Sequence, residues 1–173
     1  AAIPGLVNDV EDVLQAAMTT LSNGRSFDRL NQIVKHLGNE SRKIMRGTPF
    51  TTFGSVLSEA YKAVVGKLNL DPERKTALDQ EFGPIYAALE EFPLAKTGPF
   101  FDVPEAQAKN TGGLLSITIT PDACKGCNIC VEVCPDSALQ TITQTDEVND
   151  LLRRNWKLWK NLPDTDDRFI NVS

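Results

Sequence analysis

The sequence predicts an α+β protein in which a predominantly helical module is joined to a short strand and a cysteine loop. Three observations carry that expectation. Apolar residues recur at helical spacing through most of residues 1–93. The stretch LLSITIT at 114–120 alternates at a period of two and is rich in β-branched residues. All four cysteines of the 173-residue chain fall within residues 124–134.

The helices follow in chain order. A first is expected from Leu6, because Leu6, Val10, Val13, Leu14, Ala17 and Leu21 share one face, with Asn8 and Asp9 in the opening turn and Gly24 as a stop. A second carries Phe27, Leu30, Val34, Leu37, Ile44 and Met45 through to about Arg46, with Ser26 as its cap and Gly47 and Pro49 as breakers. A third runs over 53–68 with Leu57, Ala60, Tyr61, Val64 and Leu68 on one side. Asp71-Pro72 restarts the chain as an N-cap followed by a first-turn proline. Leu78 and Phe82 then face inward until Gly83-Pro84, which is expected to interrupt the helix and open a shorter one carrying Ile85, Tyr86, Leu89 and Phe92. These apolar stripes read as core.

Residues 94–113 read as a linker, with Gly98-Pro99, Pro104, Asn110 and Gly112-Gly113 and little periodicity; Phe100 and Phe101 are candidates to pin it. The strand at 114–120 leads through Pro121-Asp122 into the cysteine loop, and Thr141-Ile142-Thr143 is its expected partner. Residues 114–143 form one unit on this reading. Residues 144–173 form a second, a helix capped by Thr145 that carries Val148, Leu151, Leu152, Trp156 and Trp159, then an extended acidic tail after Leu162-Pro163. The two tryptophans, beside Phe169 and Ile170, read first as core and second as a docking surface.

The cysteine loop reads CKGCNICVEVC and is followed by Pro135. Its spacing, C-x2-C-x2-C-x3-C-P, is the run that holds iron–sulfur clusters in bacterial ferredoxins. Cys124, Cys127 and Cys130 allow a short loop to curl so that three thiolates converge, and Gly126 permits the curl because it takes positive φ without steric cost. The residues between Cys130 and Cys134 form one helical turn, so Cys134 faces away, and in two-cluster ferredoxins that fourth cysteine ligates the other cluster. Ile129, Val131 and Val133 are the expected apolar shield of the sulfurs. A disulfide framework is disfavoured, since bridges within one short loop would be strained and would staple nothing distant. Zinc is the stronger alternative, but zinc sites usually split their cysteines into two distant knuckles. The expected cofactor is therefore a [4Fe-4S] cluster, with Cys124, Cys127, Cys130 and Cys134 as its ligands. The fold class that results is α+β: a helical module inserted in or appended to half of a two-cluster bacterial ferredoxin-like fold.

Other chemistry is thin. The chain has 23 acidic and 18 basic residues with no basic stripe, which argues against nucleic-acid binding. No apolar run reaches the length of a membrane span, and no signal peptide is evident. Metal-bound, reduced cysteines point to the cytoplasm. Ala1 in place of Met predicts a processed chain or a piece of a longer one. His36, the sole histidine, reads as a solvated or packing residue, and Glu90-Glu91 and Asp166-Asp167 as solvated surface. No nucleophile, base and orienter set supports catalysis, so no catalytic site is expected within the chain.

The stretch ITPDACKGCNICVEVCPDSAL at 119–139 resembles the second cluster motif in the ferredoxin-like domain of 2-oxoacid:ferredoxin oxidoreductases, the pyruvate synthase family. The tail WKNLPDTDDRFINVS at 159–173 is similar to the segment leading into the thiamine-diphosphate domain of the large multidomain members. The resemblance covers about a third of the chain and leaves the helical module without a motif. It also makes Ala1-Ala2-Ile3-Pro4 look like the continuation of an upstream cluster motif, with residues 1–113 as a helical insertion between two motifs. It implies intramolecular electron transfer through [4Fe-4S] clusters, with the thiamine chemistry on other domains of the same enzyme and ferredoxin or flavodoxin as acceptor. A docking or scaffold module with a structural cluster, and an iron–sulfur subunit of another redox enzyme, are the two competing expectations.

Overall fold

The computed structural model describes residues 2–47, 52–135 and 137–169, with side chains from Pro4 onward. The expectations that fall on Ala1, Pro49, Asp136 and residues 170–173, Ile170 included, lie outside these residues. The chain is α+β, mostly helical with a small three-stranded sheet.

The order of elements is β1 (Ala2–Val7), α1 (Val10–Leu21), α2 (Asp28–Gly47), α3 (Phe53–Lys67), α4 (Pro72–Glu90), β2 (Leu94–Ala95), a π-turn (Gly98–Asp102), α5 (Val103–Gln107), β3 (Leu114–Ile119), α6 (Ile129–Glu132) and α7 (Asp146–Trp159). β3 lies in the middle of the sheet, antiparallel to both neighbours, and its full length pairs with β1 from Ala2↔Ile119 to Val7↔Leu114. Residues 8–113 are therefore inserted between two strands that form the arms of one hairpin.

The helices form where the apolar period placed them, with two corrections. Leu6 belongs to β1, and the first helix begins at Val10. Its side chain is buried all the same, because the tail covers that edge: the Leu6 N–H donates to Thr165 Oγ1 at 3.1 Å. The second correction concerns Gly83-Pro84, through which α4 runs unbroken to Glu90. Burial of Leu78, Phe82, Ile85 and Leu89 on one face outweighs the lost backbone hydrogen bond. Gly83 also lacks the Cβ that a proline crowds in the residue before it. The caps at Thr52, Asp71 and Thr145 are made by side-chain oxygens accepting from Ser55, Arg74 and Val148 N–H groups. The N-terminus of α2 has a borrowed cap as well. The buried Glu81 carboxylate of α4 accepts from Leu30 N–H at 2.9 Å and from Arg29 at 3.0 Å.

Residues 94–113, expected as a linker, are folded and clamped. Phe101 is buried under the Arg42 guanidinium and Lys96, and Gly112 passes so close that a Cβ there would lie 2.7 Å from Phe101 O. Glu105 accepts hydrogen bonds from Asn110, Thr111 and Gly112 N–H and pairs with Arg42 at 3.0 Å and Arg46 at 2.5 Å. Arg42 in turn donates to the carbonyls of Asn8 and Gly112 and to Asp9. One buried cation thus ties α2 to both ends of the insertion.

β3 buries Leu114, Ser116 and Thr118 and leaves Leu115, Ile117 and Ile119 half-buried on the other face. Small residues line the inner face because α7 crosses it closely. Gly5, directly opposite Ser116, accommodates Trp159, whose Nε1 would stand 3.0 Å from a Cβ at that position. Ser116 and Thr118 satisfy each other's hydroxyls at 3.3 Å. Trp156 and Trp159 stack at 5.1 Å, and Phe169, at the end of the tail, is buried against Gly113. The 141–143 segment is not a strand: β1 pairs along all of β3, β2 takes the other edge at Ser116 and Leu115, and Thr141 is held by Asn128 of the loop instead.

Glu105 tests the clamp. Burial works against its charge, but the N–H groups of Asn110 and Gly112 and the guanidinium groups of Arg46 and Arg42 hold its carboxyl down at about 2, below the ordinary 4.5. Its contribution is complete above pH 4.5 and is lost as pH falls from 4.5 towards 2. Glu105→Gln is expected to cost about 3 kcal/mol at neutral pH, as breaking one side of a buried pair does. The same variant should flatten the stability profile in that acid window, as read from urea midpoints measured against pH.

Candidate functional site

The cysteine loop leaves the sheet directly from β3. Pro121–Ala123 form a 3-10 turn, and the Cys124 N–H donates to Thr120 O at 3.1 Å. Left-handed backbone follows at two positions, Gly126 (φ 62°) and Asn128 (φ 60°). Gly126 was legible in the sequence. Asn128 was not, although asparagine is among the few residues enriched at positive φ. Its side chain also does work the sequence did not show: Asn128 Oδ1 accepts from Thr141 Oγ1 at 3.1 Å and draws the returning chain beside the loop.

The single turn expected at 131–133 is present but begins earlier: α6 takes in Cys130 and ends at Glu132, with Val133 as its C-cap. It sets Val133 N–H on Ile129 O at 3.0 Å and Cys134 N–H on Val131 O at 3.2 Å. Ala138 N–H donates to Cys134 Sγ at 3.3 Å, and Ser137 turns the chain with φ 51°. The loop is anchored to α7 from outside, where Arg153 donates to Asp122 Oδ1 at 3.0 Å.

All four cysteines are free thiols. Cys127 is exposed and Cys124, Cys130 and Cys134 are half-buried. Among the described residues, no three His, Cys, Asp or Glu side chains come together closely enough to hold a metal ion. The donor set nonetheless suits an iron–sulfur cluster: four free thiols on one loop, two left-handed residues that curl it, and N–H groups at Lys125, Gly126, Cys127 and Asn128 that make no hydrogen bond within the described residues. Such groups are the donors that stabilise bound sulfide. The expected apolar shield departs from the prediction. Ile129 is 64% and Val133 71% exposed, because nothing in the described chain packs over that side of α6.

The family described as a 4Fe-4S binding domain matches residues 117–140. The match supports an iron–sulfur segment at these residues. No curated protein and no solved structure matches the chain. The 4Fe-4S segment starts inside β3 and ends just before Thr141, so it takes in the whole loop and the strand that carries it.

His36 is exposed on α2, remote in sequence from the segment, and no helix among the described residues is long and apolar enough to cross a membrane. The apolar core draws on β1, α1 to α4, Phe101, Leu114 and Leu158; the matched segment adds only Thr118 and Pro121 to the buried residues described, and the cysteine loop itself adds none. Body and loop are thus separable in energy. Replacing Cys124, Cys127, Cys130 and Cys134 together by serine is expected to abolish iron binding while shifting the thermal midpoint by no more than about 2 °C, the scale of about 0.5 to 1 kcal/mol. Circular dichroism melts of the wild-type and serine chains check this, and cooperative unfolding lost with the cysteines would show a structural role for the cluster.

Proposed function

We propose that this chain is the electron-transfer part of a 2-oxoacid:ferredoxin oxidoreductase, a cytoplasmic enzyme whose thiamine chemistry lies on other domains. The observation that carries the electron-transfer reading is the coincidence, in one loop, of four free cysteines, the left-handed Gly126 and Asn128 and the 4Fe-4S family match. The 2-oxoacid context is supported by the resemblance of residues 119–139 and 159–173.

A bound [4Fe-4S] cluster supplies reversible one-electron transfer. In this proposal Cys124, Cys127 and Cys130 hold one cluster, and Cys134 contributes either to the same cluster or to a second. Gly126 and Asn128 shape the loop so that its N–H groups face the sulfurs, and those groups tune the potential through hydrogen bonding, while the exposed Ile129 and Val133 leave the loop open to water. The insertion of residues 8–113 between β1 and β3 fits a ferredoxin-like hairpin interrupted by a helical module. The proposed partners are the thiamine-diphosphate domains as donor and a ferredoxin or flavodoxin as acceptor.

Anaerobic reconstitution with iron and sulfide tests the first part. About four irons per chain, the content of a cubane, are expected, with an S = 1/2 EPR signal that appears on dithionite reduction and disappears on reoxidation. Zinc retained in preference to iron, or a cluster without a reversible step, would overturn electron transfer. The second part is read in the intact native polypeptide, where a 2-oxoacid should generate the same signal; silence towards every 2-oxoacid tried would sink the context alone.

A further inference from the structure

Asn128 sits between Cys127 and Cys130 with left-handed backbone, φ 60° and ψ 0°. Its carbonyl accepts from Val131 N–H at 2.9 Å and Glu132 N–H at 3.0 Å and so opens α6. An asparagine in this position ordinarily caps the helix that follows, its side-chain oxygen accepting from an N–H of the first turn. Asn128 makes no such cap. Its oxygen instead accepts from Thr141 Oγ1 at 3.1 Å, 13 residues along the chain.

That bond stands alone. Among the described residues it is the only hydrogen bond that residues 139–144 make, and Thr141 lies just beyond the match to the 4Fe-4S family, which ends at residue 140. Positive φ is costly for a residue with a Cβ, so Asn128 keeps it only where its surroundings fix it. α6 fixes its carbonyl, and Thr141 fixes its side chain. The N–H groups of residues 125–130 make no hydrogen bond within the described residues, and an Asn128 oxygen set free would compete for those at the start of α6.

We propose that Thr141 and Asn128 form a latch that positions the cysteine loop: Thr141 draws the Asn128 oxygen off α6 and holds Asn128 left-handed, which keeps the N–H groups of residues 125–130 available to bound sulfide. The latch rests on the 4Fe-4S reading of the loop and adds to it a positioning residue outside the matched segment. Its loss would leave fewer donors to sulfur. Fewer donors bind the group less firmly and place its potential lower.

The test uses the full chain reconstituted anaerobically with iron and sulfide. Thr141→Val keeps the shape of the side chain and removes the donor. It is expected to speed loss of iron to a chelator about fivefold, the scale of one hydrogen bond, and to move the reduction potential downward in a dithionite titration followed by EPR. Asn128→Gly keeps the left-handed backbone accessible and removes the acceptor, so adding Thr141→Val to it should change neither readout further. Thr143→Val is the control, because Thr143 is exposed and makes no hydrogen bond among the described residues, and it should leave both readouts at the wild-type values. In the thiol form, a nuclear Overhauser contact is expected between the Asn128 side-chain amide and the Thr141 methyl. A missing contact, Thr141→Val indistinguishable from wild type, or an equal effect of Thr141→Val with and without Asn128→Gly would overturn the latch and leave the 4Fe-4S reading standing. A chain that shows the contact but takes up no iron would overturn that reading, and the latch's role with it.

Discussion

The pairing of β1 with β3 is the constraint on which the molecule depends. It brings Val7 and Leu114 side by side across an insertion of residues 8–113, so the loop-closure entropy of the whole helical module must be met before a single rung forms. Helix packing offsets that cost, because α1 to α4 bury a continuous apolar core that also takes in Val7 and Leu114. The strands and the helices therefore stabilise each other. Remove the helices and the hairpin has no short connection; remove the hairpin and α7 loses the face on which Leu158 and Trp159 rest.

Arg42 makes this closure specific. A hydrophobic core fixes which faces meet but tolerates sliding, whereas a buried guanidinium must find its acceptors or suffer the full cost of desolvation. Its acceptors are Asn8 O and Asp9 just after β1 and Glu105 and Gly112 O just before β3. The two ends of the insertion are thereby measured against one point on α2. Phe101, packed beneath the same guanidinium, adds an apolar stop to the polar one.

What could be read from the sequence was whatever local periodicity and local chemistry encode. The helical stripes, the caps at Asp71 and Thr145, the strand read at 114–120 and found at 114–119, and the four-cysteine spacing are all statements about neighbours within a few residues. Leu6 was misplaced because one buried leucine fits either the end of a strand or the start of a helix, and only its distant partner Leu115 decides between them. Pro84 was overweighted because its neighbours' burial on α4 depends on other helices. The clamp through Arg42 and Glu105 has no local signature at all, since its members lie 63 residues apart. For the same reason Thr141-Ile142-Thr143 looked like a strand: its composition was right, but that Asn128 holds Thr141 beside the loop could not be seen from composition.

The separation of core from loop has a consequence for how such a site is tuned. Burial that lowers water access around a cluster ordinarily also contributes to folding, which couples potential to stability. Here the apolar core contains no described residue of the cysteine loop, and Ile129 and Val133 are exposed. Substitutions in the loop therefore act on the bound group's surroundings with little effect on the fold. The remaining lever on water access is whatever covers the loop from outside. The Arg153–Asp122 bond joins the loop's entrance to α7 from outside and holds it against the body without burying it.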